Sequence, residues 1–167
     1  MGLRKAKCYR KVVRAYTRKS KFRAKAFIKT IPNSKVVKYD LGNTKRQFEK
    51  EVNLISKDKV QIRHNALESA RMVVNRRLNQ SLGNNYHFKL RVYPHHILRE
   101  NKALTGAGAD RMSSGMKQSF GTPIGLAAQV KIGQPIISVY VDSKDVNTAR
   151  EALRYAIHRL PCKCAII

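Results

Sequence analysis

His95 and His96 are the side chains of this sequence whose type best suits them to share a metal or pass a proton. Adjacent strand residues point to opposite faces, so the two rings cannot make one site unaided; they read as one packed and one exposed. Cys162 and Cys164 place two thiols in C-x-C spacing, whereas structural zinc takes four ligands in spaced pairs, so both read as strand residues. With Cys8 the thiols number three, and an odd count with no apolar signal core argues for a reducing, cytosolic compartment. Glu100 and Asp110 are the carboxylates of a glycine-rich stretch, and two lone acids among bases orient arginines rather than run acid–base chemistry. Gly106-Ala107-Gly108 starts a dinucleotide fingerprint, but Arg111 stands at its third glycine and neither a clear strand nor a helix frames it. Walker, G-x-S-x-G, helical paired-histidine and protein-kinase patterns do not occur. These residues call for no enzyme, metal or cofactor.

The charge is more telling. Fourteen Lys or Arg residues lie between Arg4 and Lys38, before the first carboxylate at Asp40, and the whole chain carries a formal charge of +25. Cations this crowded repel one another and hold one shape only against a dense polyanion, for which nucleic-acid phosphate leads and an anionic membrane follows. Tyr9, Val12, Val13 and Tyr16 fit a helical stripe, but Phe22, Phe27, Ile28 and Ile31 fall out of phase, and Ala6 stands where a myristoylation signal needs Ser or Thr. No apolar run approaches the ~18 residues of a membrane span. A mitochondrial transit peptide shares the Arg-rich, acid-poor composition and stays open on composition alone.

Elements must position these residues. Residues 1–34 read as a basic, extended arm and 35–167 as a single RNA-binding domain. Val36 to Tyr39, Val52 to Ile55 and Val60 to Ile62 read as strands, separated by the turn chemistry of Leu41-Gly42-Asn43 and Ser56 to Lys59. Asn65-Ala66-Leu67-Glu68 resembles a capping box that opens a helix of about 17 residues, closed by Gly83. Leu67, Ala70, Val74, Leu78 and Leu82 form its apolar stripe, leaving Arg71, Asn75, Arg76 and Gln80 for solvent or RNA. Tyr86 to Val92 alternates apolar and basic, predicting a half-buried strand that Pro94 ends; Ile124 to Ile132 alternates likewise and turns at Gly133-Gln134-Pro135 into Ile136 to Val141, predicting a hairpin. A second helix starts near Ser143 or Asp145 and stops at Pro161, before a last short strand from Cys162. The expected fold is α+β, with two helices packed on a mixed, mostly antiparallel sheet.

Residues 99–123 carry four glycines (Gly106, Gly108, Gly115, Gly121) and four bases (Arg99, Lys102, Arg111, Lys117) with little apolar periodicity. A loop beyond ~15 residues inside a compact domain is usually functional or disordered. Glycines let the backbone approach a ligand closely, and bases among them suit a winding phosphate chain.

At this point the residues resemble a known family. Lys7-Cys8-Tyr9-Arg10, Lys38 to Gly42, Ala66 to Arg71, Phe88 to His96, and above all Gly106-Ala107-Gly108-Ala109-Asp110-Arg111 with Gly115-Met116, Phe120-Gly121 and Pro123 are similar to the large-subunit ribosomal protein family called L sixteen in bacteria and L ten e in archaea and eukaryotes. Similarity covers essentially the whole chain and ends near Ile167, where eukaryotic members continue, so an archaeal-type member is expected; the arm from Lys11 to Lys25 is more basic and less proline-rich than the eukaryotic pattern.

The resemblance implies a structural constituent of the large ribosomal subunit, cytoplasmic and ribosome-bound. Its partners would be large-subunit rRNA, the acceptor and elbow regions of tRNA, neighbouring ribosomal proteins and subunit-maturation factors, with no membrane. The loop would lie on the tRNA side near the peptidyl-transferase centre, through Lys102, Gly106, Gly108, Arg111, Gly115, Met116, Lys117, Phe120 and Gly121. The rRNA-binding candidates are Arg4, Lys5, Lys7, Tyr9, Arg10, Arg14, Arg18, Lys21 and Arg23 on the arm, with Arg91, His95 and His96 on the strand. Arginines suit bidentate phosphate contacts, whereas Tyr9, Tyr16 and Phe22 would either stack on unpaired bases or pack the arm on its own domain. A free-standing RNA-binding regulatory or assembly factor is the alternative; a nucleic-acid enzyme would need an acid cluster that the ten scattered acids do not supply.

Overall fold

The computed structural model describes residues 4–12, 22–102, 106–108 and 120–167. Ten regular elements follow the α+β order: β1 (Asp40–Gly42), β2 (Lys50–Ser56), β3 (Val60–Arg63), α1 (His64–Leu82), β4 (His87–Leu90), β5 (His96–Glu100), β6 (Thr122–Val130), β7 (Pro135–Val141), α2 (Val146–Ile157) and β8 (Cys164–Ile166). They form two sheets, a five-stranded one ordered β1-β4-β7-β2-β8 and a three-stranded one ordered β3-β6-β5. Every pairing described is antiparallel.

The expected hairpin of Ile124–Ile132 with Ile136–Val141 does not form, because β6 and β7 belong to different sheets. Gly133, at φ +76°, bends the chain between them. Its N–H donates to the Ser56 carbonyl at 2.8 Å, and the Ser56 N–H donates to the Gln134 carbonyl at 3.1 Å, so the end of β2 holds this turn. Two further connections cross between sheets in the same way: residues 57–59 from β2 to β3, and residues 91–95 from β4 to β5. The single strand expected over Tyr86–Val92 is therefore shorter, and past Leu90 the chain leaves the large sheet after one more bond, Arg91 N–H to the Ile136 carbonyl at 2.9 Å. Chains that change sheets through bends are one way to wrap two sheets around a common interior.

α1 and α2 pack on each other, α1 over β3 and β6 and α2 over β2, β7 and β8, so the helix pair spans both sheets. The expected stripe on α1 is buried at Leu67, Ala70, Val74 and Leu78, facing Ala149, Ala152, Leu153 and Ala156 of α2, with Phe88, Ile137 and Val139 of the large sheet in the same core. Small alanines on one helix against branched residues on the other permit close packing.

The capping box does not form. α1 starts two residues earlier than the box requires, with Arg63 extended at its N-cap, and Asn65 Oδ1 instead accepts from its neighbour Ala66 at 3.0 Å. Glu68 is taken by Arg71, through bonds of 2.5 and 2.9 Å. Gly83 does close the helix, at φ +59°, with its N–H on the Asn79 carbonyl. Asn75 is not free for solvent either: the Tyr86 hydroxyl lies 2.7 Å from the side-chain amides of both Asn75 and Asn79. The atoms facing the phenol are both amide oxygens, so its one proton is directed at two acceptors, a pairing that satisfies a buried hydroxyl and ties α1 to the residue before β4.

The alternation expected for Ile124–Ile132 also breaks. Gly125 to Ala128 are buried in succession, while Ile124 and Ile132 are exposed. β6 is the central strand of the small sheet, covered by α1 on one face and by the arm on the other, where Ile28 clusters with Ile97 and Leu126. Coverage on both faces favours a run of small or apolar residues over a period of two. At the chain end, Cys164 starts β8 as a strand residue, 3.5 Å from the Cys162 sulfur. The hydrogen bond between the thiols holds Cys162 down to about 7 and pushes Cys164 up.

Candidate nucleic-acid interface

Residues 4–12 of the arm lie across the open side of the small sheet. Its backbone docks first: the Tyr9 carbonyl accepts from the Gln61 amide at 3.0 Å, the Arg10 carbonyl from the Gln61 N–H at 2.9 Å, and the Arg4 carbonyl from the Arg63 guanidinium at 2.8 Å. Arg4 also pairs with Glu100 at 2.5 Å, the carboxylate side chain being only 7% exposed. Arg63 covers the Tyr9 ring at 5.8 Å, and burial, with the Glu100 charge second, raises the Tyr9 hydroxyl above its ordinary value. Backbone groups held this way leave the side chains of Lys5, Lys7, Arg10 and Lys11 outward and exposed. Of the two readings of Tyr9, this geometry is the one in which the arm packs on its own domain.

Further along, Arg23 lies in a 3-10 turn, Arg23–Lys25, and Phe22 is 69% exposed with the Lys25 ammonium 5.4 Å over its ring. An exposed ring beside cations can take a stacked base. Arg14, Tyr16, Arg18 and Lys21 lie outside the described residues.

The strand candidates separate as adjacent residues must. Arg91 is exposed, His95 is exposed with its ring 4.5 Å from Tyr93, and Tyr93 stacks on Tyr39 at 5.4 Å, giving an aromatic surface beside Arg91. His96 instead is 7% exposed, inside the small sheet, and its Nδ1 has no hydrogen-bond partner. Burial, reinforced by the Arg99 charge, holds this ring below its ordinary pKa.

That burial makes a prediction. The unfolded chain protonates its histidines near 6.5, whereas folded His96 stays neutral to lower pH. Between those values the unfolded state binds more protons, so the stability present above about pH 6.5 is lost as pH falls toward the folded value. His96→Gln should flatten the decline of melting temperature from pH 6.5 toward 5, and an undiminished slope would count against His96 as its source.

At the base of the long loop the strands reach further than the sequence indicated: Arg99 pairs with Pro123 and Glu100 with Thr122. Gly121 is buried there, and a Cβ on it would collide with the backbone of Glu100 and Asn101. Its glycine therefore serves close approach of the loop's two stems. Phe120 is half exposed, under the Arg99 guanidinium at 3.9 Å. Lys102 is exposed, and Gly106 and Gly108 take φ of +128° and +81° with open space around them. Arg111, Gly115, Met116 and Lys117 lie outside the described residues.

Arg63 was missed by sequence reasoning, as was a basic cleft of the helix layer. Val73, Arg76, Arg77, Gln80, Tyr155 and Arg159 line about 370 Å³ between α1 and α2. A helical wheel places Arg76 and Gln80 off the apolar stripe, but α2's contribution follows only from how the helices cross. Among the described residues no group of three His, Cys, Asp or Glu side chains could hold a metal, and no helix is long and apolar enough to cross a membrane.

Known proteins resemble this chain over nearly its whole length. The family described as ribosomal protein L16p/L10e matches residues 13–167. The large ribosomal subunit protein uL16 of Methanococcus aeolicus is 48% identical over 169 residues, covering 100% of this chain and 94% of that protein. Its counterpart in Methanospirillum hungatei is 49% identical over 149 residues, covering 89% and 84%, and that of Methanosphaerula palustris 40% identical over 163 residues, covering 96% and 91%. With a family match over nearly its whole length and archaeal relatives sharing almost half its residues, the chain belongs to the ribosomal protein L16p/L10e family.

Proposed function

We propose that the protein is a structural constituent of the large ribosomal subunit, in the cytoplasm, that binds rRNA through its arm and strand face and meets tRNA through the 99–123 loop. The observation that carries the reading is the arm's division of labour. Carbonyls of Arg4, Tyr9 and Arg10 engage the small sheet, while Lys5, Lys7, Arg10 and Lys11 keep their charges in water. A row of cations held in place by backbone bonds presents charge with less ordering entropy than a free tail. Family membership supports rRNA and neighbouring ribosomal proteins as partners. The acceptor and elbow regions of tRNA, and maturation factors, belong to the proposal through the loop.

Sedimentation of a tagged copy tests it. Comigration with large-subunit RNA at high salt is expected, since buried area and interlocked shape resist the screening that releases simple phosphate contacts; release to the top of the gradient would favour the free-standing factor. Arg111→Ala with Lys117→Ala separates the loop's role from assembly. We expect normal incorporation with weakened tRNA binding, each charge-assisted hydrogen bond removed being worth roughly tenfold. Loss of incorporation would overturn the assignment of the loop to tRNA.

A further inference from the structure

The helix layer carries basic surface that neither the arm nor the loop accounts for. Arg76 and Arg77 of α1 and Tyr155 of α2 line one cleft of about 370 Å³ with Arg159, just beyond the helix end. Arg159 and His158 line a second, of about 390 Å³, together with Arg10 of the arm. Arg159 lines both clefts, so they adjoin at its side chain, and together they form a groove that reaches from the helix pair to the docked arm.

Its charges are available. Arg76, Arg77, His158 and Arg159 are exposed. Glu68, the one carboxylate of α1, is committed to Arg71. On α2, Glu151 lies one turn before Tyr155 and lines neither cleft. The Arg77 guanidinium sits 4.3 Å from the centre of the Tyr155 ring, and the tyrosine keeps 37% of its surface open. This pair is a flat, cationic platform at the groove wall.

We propose that the groove is a second RNA-docking track, taking a sugar-phosphate strand along Arg76, Arg77 and Arg159 with a base against the Tyr155–Arg77 platform, and passing it on to Arg10. The proposal rests on the rRNA-binding reading above and extends it to a face that reading does not use. Three features select RNA over an acidic protein. A protein partner wants an apolar, desolvated centre, whereas Val73 and Tyr155 are the apolar lining of the first cleft, and in the second Ala6, Ala66, Leu160 and Pro161 are interspersed with a larger set of polar and basic side chains. Guanidinium planes and an open aromatic ring suit unpaired bases and phosphates together. The groove is also continuous with the arm.

The test compares four full-length or arm-truncated proteins for equilibrium binding to purified large-subunit rRNA across a series of KCl concentrations. They are the wild type, Arg76→Gln/Arg77→Gln/Arg159→Gln, Tyr155→Leu, and a chain lacking residues 2–25. The substituted side chains lie at the surface, so thermal melting should show the folds intact. The triple variant should reduce the slope of log affinity against log salt by about 2–3, at 0.7–0.9 for each phosphate no longer neutralised. Tyr155→Leu should weaken binding roughly 5- to 150-fold with the slope unchanged, as loss of stacking would. An unchanged slope in the triple variant, while the arm truncation lowers it, would overturn the groove alone; no change in either would overturn the rRNA reading with it.

Discussion

Removal of residues 2–25 is expected to prevent stable incorporation into the large subunit and to lower affinity for its rRNA on the order of a hundredfold or more. The deleted segment holds eleven Lys or Arg residues. If four of them meet phosphate, the salt slope falls by roughly 3, and the loss grows as salt is lowered. The fold suffers less than the assembly. Gln61 loses two bonds to the arm, at 3.0 and 2.9 Å, but both groups then face water, as does Glu100 once the segment covering it is gone. Full-length Arg4→Met is the sharper probe of stability, because it leaves the rest of the arm in position over a carboxylate only 7% exposed. A truncated protein that still cosediments with the large subunit at the wild-type level would show the arm to be dispensable.

Phe88→Ala is expected to cost about 3–5 kcal/mol, the range for deleting a fully buried aromatic side chain. Phe88 is fully buried in β4, between Leu41 of β1 and Val139 of β7, where the large sheet meets the helix pair. For a chain of this size that corresponds to a drop of roughly 6–20 °C in melting temperature, measured on the free protein. A drop of only a degree or two would mean that the sheet collapses around the gap, and that the helix pair and β1 are less firmly held than their packing indicates.

Local pattern was legible where one covering layer sets the environment. The α1 stripe from Leu67 to Leu78 is buried as its spacing required, and from Tyr86 to His96 buried and outward residues alternate without a break. That alternation is what sends His95 outward and His96 inward, and it persists even though the chain changes sheets within it. Pattern failed where coverage or pairing came from distant sequence. β6 is buried on two faces because the arm supplies Ile28, nearly a hundred residues earlier, so its period of two is lost. The missing β6–β7 hairpin has the same origin: Gly133 and Gln134 look like any tight turn, and it is Ser56, far upstream, that takes their backbone bonds and lets the strands diverge.

The candidate interface divides along the same line. Its chemistry was present in the sequence, because net charge and the clustering of fourteen bases before the first acid are properties of composition and order, and no fold can remove them. The sequence by itself thus determined a polyanion-binding protein with an α+β body, and the close match of its loop to one family determined which kind. Tertiary structure alone decided which cations face outward, that Tyr9 lies beneath Arg63 and His96 lies inside, and that Arg77, Tyr155 and Arg159 share one groove. Those juxtapositions depend on helix crossing and sheet switching, in which residues about 80 positions apart come within a few ångströms through packing that no local period encodes.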